Sequence, residues 1–201
     1  MMKRLVIFLA LLALAIPTQA EVLVNGDFED GDTGQITGTP IPGWNAWNWS
    51  GWHHDDAGAV IDTKAMKLWW DDSGLYQDFA ATPGLTYDFS VQCLDWSGDT
   101  SPINWNGLIK AEFYDPCDVQ LANVELERFD SDIEPDDVWT QIGGSYEAPA
   151  GTAYGRIVLM VVDWHDGIAG AIQFDNASVT PEPTTIALLG LGGLLLRRRR
   201  A

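Results

Sequence analysis

The sequence predicts an all-β domain, an antiparallel sandwich or barrel, set between two targeting segments. Three observations predict it. Helical periodicity is nearly absent, whereas period-two alternation recurs along the chain. The apolar runs are short and rich in β-branched and aromatic residues. Gly, Pro, Asp and Asn punctuate them, as at Thr82-Pro83-Gly84, Ser97-Gly98-Asp99, Asp115-Pro116 and Ala148-Pro149-Ala150-Gly151.

The elements follow in chain order. Residues 1–20 read as a secretory signal peptide: Lys3 and Arg4 are the charged start, Leu5 to Ile16 is apolar, and Thr18-Gln19-Ala20 approaches a cleavage site after Ala20. That apolar run is short of the about 20 residues a membrane span needs. Candidate strands are Val22–Glu29, Ala65–Trp70, Leu75–Phe79, Thr86–Cys93, Leu108–Tyr114, Val119–Phe129, Val138–Tyr146, Ile157–Val162 and Ala171–Val179. In Thr86–Cys93, Tyr87, Phe89, Val91 and Cys93 share one face, and Thr86, Asp88, Ser90 and Gln92 share the other. That is a half-buried antiparallel strand. Ile157–Val162 is apolar throughout and reads as a central strand buried on both faces. In the last strand the alternation slips by one across Asp175-Asn176, as a bulge or a bound ligand would cause.

If Thr86–Cys93 and Leu108–Tyr114 form a hairpin turning near Asp99–Pro102, Cys93 faces the chain near position 109 and Cys117 faces it near 85. Within that hairpin the two thiols are too far apart to bridge, and a disulfide would need another sheet arrangement.

Composition narrows the function. The chain has 201 residues and a formal charge of −18. An acidic surface excludes a phosphate-backbone partner, so no nucleic acid is expected. Two cysteines exclude a four-thiolate zinc site. The ends hold six of the eleven basic residues and one of the 29 acids, so residues 21–180 carry a formal charge of −23. No Gly-x-Ser-x-Gly elbow, phosphate-binding loop or Cys–His nucleophile pattern appears. Carboxylate pairs are uninformative in so acidic a chain, and no enzyme activity is expected. His53-His54-Asp55-Asp56 reads as a surface loop, since adjacent histidines seldom converge on one metal ion.

The C-terminus has a distinct order: Pro181-Glu182-Pro183, then an apolar Gly-rich run from Ile186 to Leu196, then Arg197, Arg198, Arg199 and Arg200. The basic stop holds that end in the cytoplasm. Residues 181–201 closely resemble the PEP-CTERM sorting signal. The resemblance implies recognition by an exosortase-type processing enzyme, transient residence of the C-terminal helix in the inner membrane, and export to the cell surface or extracellular matrix.

The middle of the chain resembles carbohydrate-binding modules of the xylanase-associated, galactose-binding-like type. The residues that carry this are Leu23-Val24-Asn25-Gly26-Asp27-Phe28-Glu29 followed by Gly43-Trp44, then Leu75-Tyr76-Gln77-Asp78-Phe79, Pro83-Gly84-Leu85-Thr86-Tyr87, Trp139-Thr140-Gln141-Ile142, and Ile172-Gln173-Phe174-Asp175-Asn176-Ala177. The resemblance implies a two-sheet antiparallel jelly-roll β-sandwich. It also implies a structural Ca2+ joining the first and last strands, with Glu29 and Asp175 at the matching positions. It places Trp44 and Trp139 at packing positions.

Ten tryptophans are the remaining lead. An indole is a natural plate for the apolar face of a sugar, and an exposed one on a loop needs a reason. Trp47, Trp49, Trp52, Trp96, Trp105 and Trp164 have polar, Gly-rich neighbours, read as loops at 47–52, 96–105 and 164, and are the candidate carbohydrate-binding residues. Asn48, Asn104, Asn106 and Asp166 are candidate polar support. The expected function is non-catalytic binding of polysaccharide, of a neutral kind because the domain is acidic. The alternatives are a structural or adhesion component of an exopolysaccharide matrix with no specific ligand and, more weakly, a glycan-active enzyme.

Overall fold

The computed structural model describes residues 21–36, 41–48, 51–69, 73–99, 106–162 and 171–182. Glu21–Thr180 is one compact unit. Residues 1–20, Pro183 and the C-terminal helix and arginines lie outside the described residues. So do Trp49, Trp70, Asn104, Trp105, Trp164, His165 and Asp166.

The described residues contain eleven strands: β1 Gly34–Gln35, β2 Asn45–Trp47, β3 Gly51–His54, β4 Ala65–Leu68, β5 Gly74–Ala80, β6 Thr86–Asp95, β7 Asn106–Tyr114, β8 Gln120–Asp130, β9 Thr140–Glu147, β10 Tyr154–Val162 and β11 Ile172–Pro181. They form a six-stranded sheet in the order β1-β3-β4-β11-β6-β9 and a five-stranded sheet in the order β2-β5-β10-β7-β8. The pairs of both sheets are antiparallel. This is the β-sandwich that the sequence predicts.

The core lies between the sheets and is aromatic. Phe113 on β7 is fully buried, with ring centroids of Tyr146, Tyr87, Phe79 and Phe89 at 5.9–6.4 Å. Each such side chain contributes roughly 1.5–3 kcal/mol by leaving water. On β6, Tyr87, Phe89, Val91 and Cys93 are buried, as the alternation requires, and Asp88, Ser90 and Gln92 are half-buried on the other face. β10 is the middle strand of its sheet, with Ile157, Val158, Leu159 and Val161 buried. Arg156, Met160 and Val162 remain half-buried, so its outer face is not sealed.

Four expectations are corrected. First, Val22–Glu29 is not a strand. Asn25 and Phe28 have left-handed φ of 53° and 54°, which no strand accommodates. The Asn25 amide builds a turn instead: its Oδ1 accepts from Asp30 N, and its Nδ2 donates to the carbonyls of Asp30 and Pro42. The segment touches β11 at two points, Val22 N to Val179 O and Ala177 N to Gly26 O.

Second, the stretch 47–52 is not one loop. It begins in β2 and ends in β3, which belong to opposite sheets, so Trp47 and Trp52 are separated by the sandwich.

Third, β6 and β7 are not a hairpin. β6 pairs with β9, placing Cys93 opposite Thr140, while β7 pairs with β8 and β10 in the other sheet. An amphipathic strand can bury its apolar face from either sheet, so alternation alone does not choose its neighbour. Both thiols are free, Cys93 buried and Cys117 exposed.

Fourth, His53 and His54 are not on a surface loop. They are buried on β3, and the two ring nitrogens of His53 lie 2.6 and 3.0 Å from the carbonyl oxygens of Phe28 and Asp32.

Candidate functional site

The register of the five-stranded sheet determines what its solvent face displays. Side chains two apart on a strand share a face. One row across the sheet therefore reads Tyr154–Tyr114, the next Asp78–Arg156–Glu112, the next Asn45–Tyr76–Val158–Lys110, and the last Trp47–Gly74–Met160–Leu108. This grid collects Trp47, Tyr76, Tyr114 and Tyr154 on one surface, all half-buried.

The rings are held by contacts rather than left loose. Trp47 and Tyr76 have centroids 6.2 Å apart. Trp47 lies against Gly74, where a Cβ would stand 2.1 Å from the indole, so only glycine admits the ring. Tyr114 and Tyr154 stack nearly parallel, 5.0 Å apart and inclined by 8°. Between the two aromatic groups the Arg156 guanidinium sits 4.0 Å from the Tyr76 centroid and 5.0 Å from that of Tyr114. Such cation–π contacts are worth about 0.5–2 kcal/mol each.

Hydrogen bonds fix the polar groups. Arg156 Nε and Nη2 donate to the two oxygens of Asp78 at 2.6 and 3.1 Å, a bidentate pair. Tyr114 Oη donates to Glu112 Oε2 at 2.5 Å and accepts from Gln120 Nε2 at 3.0 Å. Lys110 Nζ lies 3.5 Å from Glu112. Burial and the Glu112 acceptor push the Tyr114 phenol up to about 12, so it stays a neutral donor. Burial works against the charge on Arg156, but Asp78 outweighs it and the guanidinium stays charged. The result is a rigid plate of rings edged by donors and acceptors. It suits a ligand with apolar faces and hydroxyl rims.

The sequence pointed to Trp47 but missed Tyr76, Tyr114, Tyr154 and Arg156. The available signal was the outward phase of β5 and β10, where Tyr76 and Asp78, then Tyr154 and Arg156, alternate with buried residues. Trp52 is 44% exposed on the opposite sheet. Trp96 is half-buried, just beyond β6. Asn48 is exposed and Asn106 half-buried. Trp44 is buried and its Nε1 donates to Asn25 O at 2.9 Å, a structural position.

Glu29 and Asp175 stand at a different corner, where both accept from the backbone of residues 61–64. Glu29 Oε1 accepts from the backbone of Thr63 and Lys64 at 2.9 Å, and Oε2 accepts from the Thr63 hydroxyl. Asp175 is 1% exposed; it accepts from Ile61 N at 3.0 Å and Asn176 N at 2.7 Å. Burial, with Glu29 and Asp62 adding to it, raises the Asp175 carboxyl to about 7 despite those two amides. Asn176 has a left-handed φ of 49°, the physical cause of the phase slip in β11. Lys64 Nζ donates to the carbonyls of Glu29 and Gly31 at 2.7 and 2.8 Å. The corner thus offers hard oxygen donors of the kind a calcium ion takes, with the Lys64 ammonium already seated on two of its carbonyls. Among the described residues no three Asp, Glu, His or Cys side chains are grouped to hold a metal ion, so carbonyls or water would complete the shell.

Residues 179–200 match the family described as the PEP-CTERM protein-sorting motif. No curated protein matches the chain by sequence. Among solved structures, the fold is similar to the C-terminal family 22 carbohydrate-binding module of xylanase 10B from Clostridium thermocellum. The TM-score is 0.54 at 13% identity, covering 81% of this chain and 98% of that one. A family 22 xylan-binding domain from Paenibacillus barcinonensis gives 0.54 at 14%, covering 83% and 97%. The enzymatically active domain of a tailspike protein of bacteriophage CBA120 gives 0.54 at 13%, but this chain spans only 21% of its length. These likenesses show the fold, a jelly-roll β-sandwich.

Proposed function

We propose that the chain is an exported, non-catalytic module that binds neutral polysaccharide on the outer face of its five-stranded sheet. The observation that carries this is the ring grid of Trp47, Tyr76, Tyr114 and Tyr154 around Arg156. Four half-exposed rings on one sheet face exceed what packing requires, because the core is already filled by Phe79, Phe89 and Phe113 on the inner face. The carboxylates on the outer face are engaged, Asp78 by Arg156 and Glu112 by Tyr114 and Lys110. They serve as acceptors for hydroxyl groups rather than as an acid and a base. A sorting motif at the C-terminus supports export and exosortase processing. The net charge of the domain disfavours acidic polymers. Trp52 and Trp96 belong to another surface. A calcium ion at Glu29 and Asp175 would lock the N-terminal segment onto β11 without touching sugar.

Affinity electrophoresis through gels carrying xylan, glucan or mannan tests the proposal. At least one neutral polymer should retard the protein, and Tyr76→Ala should abolish the retardation while leaving the melting temperature within a few degrees. Equal retardation of Tyr76→Ala and the parent would contradict it.

A further inference from the structure

The solvent face of the six-stranded sheet carries a second constellation that the first site does not use. In register across β3, β4 and β11 stand Trp52, Lys67 and Gln173. Trp52 is 44% exposed, the most exposed described tryptophan on either sheet. Lys67 Nζ pairs with Asp99 Oδ1, and Gln173 Nε2 donates to Asp99 Oδ2 at 2.7 Å. The Lys67 and Asp99 side chains keep only 19% and 17% of their surface, so both are largely desolvated and fixed in place.

The neighbouring positions of the same face are polar as well. Gln173 is fully buried, and its amide is hydrogen-bonded to the ring of His54, which is 2% exposed and two residues along β3 from Trp52. Burial lowers the His54 pKa and so favours the neutral ring beside the site. An exposed ring beside a preorganised ammonium–carboxylate–amide bed is a saccharide-binding arrangement: the ring takes an apolar sugar face, and Lys67 and Asp99 take adjacent hydroxyls.

We propose that this face is a second saccharide site, built on Trp52, Lys67 and Asp99, with Gln173 and His54 as positioning residues. The proposal rests on the first site being a saccharide site and adds valency to it. The two sheets are packed back to back, about 10 Å apart before side chains are added, so their outer faces point away from each other. One chain of this protein then bridges two polysaccharide strands, and a polymer that reaches both faces is held with avidity.

Calorimetric titration of the full protein with neutral hexasaccharides of xylose, glucose and mannose tests it. The expected stoichiometry is two per chain for at least one of them. Trp52→Ala should reduce it to one and leave the Tyr76 site unchanged, and Tyr76→Ala should reduce it to one at the other face. Lys67→Met should weaken the Trp52 site by on the order of tenfold. Trp52 is exposed, so its removal leaves the core intact, and an unchanged melting temperature verifies this. A stoichiometry of one that Trp52→Ala does not alter overturns this proposal and leaves the first site standing. No binding of any hexasaccharide overturns both.

Discussion

At the residue scale, Arg156 is the keystone of the proposed site. It touches Tyr76 and Tyr114 and is locked by Asp78, so it sets the positions of both aromatic groups. Arg156→Ala should weaken polysaccharide binding about tenfold or more, measured by titration, because it removes the guanidinium and loosens two plates together. Arg156→Lys should recover little, since an ammonium cannot reproduce the bidentate bond to Asp78. A second residue makes a statement about pH. Asp95 is 4% exposed at the end of β6, and burial, with Asp136, Asp137 and Asp99 adding to it, raises its carboxyl to about 6. The folded state therefore holds this proton more tightly than the unfolded state. The stabilising contribution is complete below the unfolded value near 3.8 and is lost as pH rises through about 6. Asp95→Asn should stabilise the fold at pH 8 by on the order of 2 kcal/mol, read as a higher melting temperature, and have little effect at pH 4. A gain at pH 4 that vanishes at pH 8 would contradict the sign.

At the element scale, the strand β5 shows how sequence produces the site. Its inner face, Leu75, Gln77 and Phe79, enters the core, and its outer face alternates Gly74, Tyr76 and Asp78. Gly74 is there because Trp47 from β2 lies over it. Gly74→Val should displace the indole and weaken binding severalfold, with a loss of stability of about 1–3 kcal/mol from overpacking against Trp47 and the Leu159 carbonyl at 2.7 Å. Denaturant melts and titrations on one preparation measure both effects. Much of this level was legible in the sequence. Alternation and, for β10, a continuous apolar run located β5 to β11, and β6 has the inward and outward faces that its period predicts. The short strands β1, β2 and β3 were not legible, because two to four residues carry no period and their pairing is set by distant partners. The site was only partly legible for the same reason. Trp47 stood out by residue type, but Tyr76, Tyr114 and Arg156 become neighbours only through the register of three strands far apart in sequence.

At the scale of the whole molecule, the charge of −23 on residues 21–180 and the core between the sheets pull against each other. Self-repulsion favours solubility and opposes compactness. The calcium ion proposed at Glu29 and Asp175 would relieve it where the N-terminal segment meets β11. If calcium binds there, chelator should lower the melting temperature and added calcium should restore it, through binding to the native state alone. Asp175→Ala should remove the response. A melting curve indifferent to chelator would discard the ion.

The central claim concerns one face of one sheet, and amide chemical-shift mapping addresses it most directly. On titrating the protein with a neutral hexasaccharide, the account predicts saturable shifts concentrated in β5, β7 and β10 around Tyr76, Tyr114 and Arg156, and their loss in Tyr76→Ala. Saturable binding with no shifts in those three strands would contradict it.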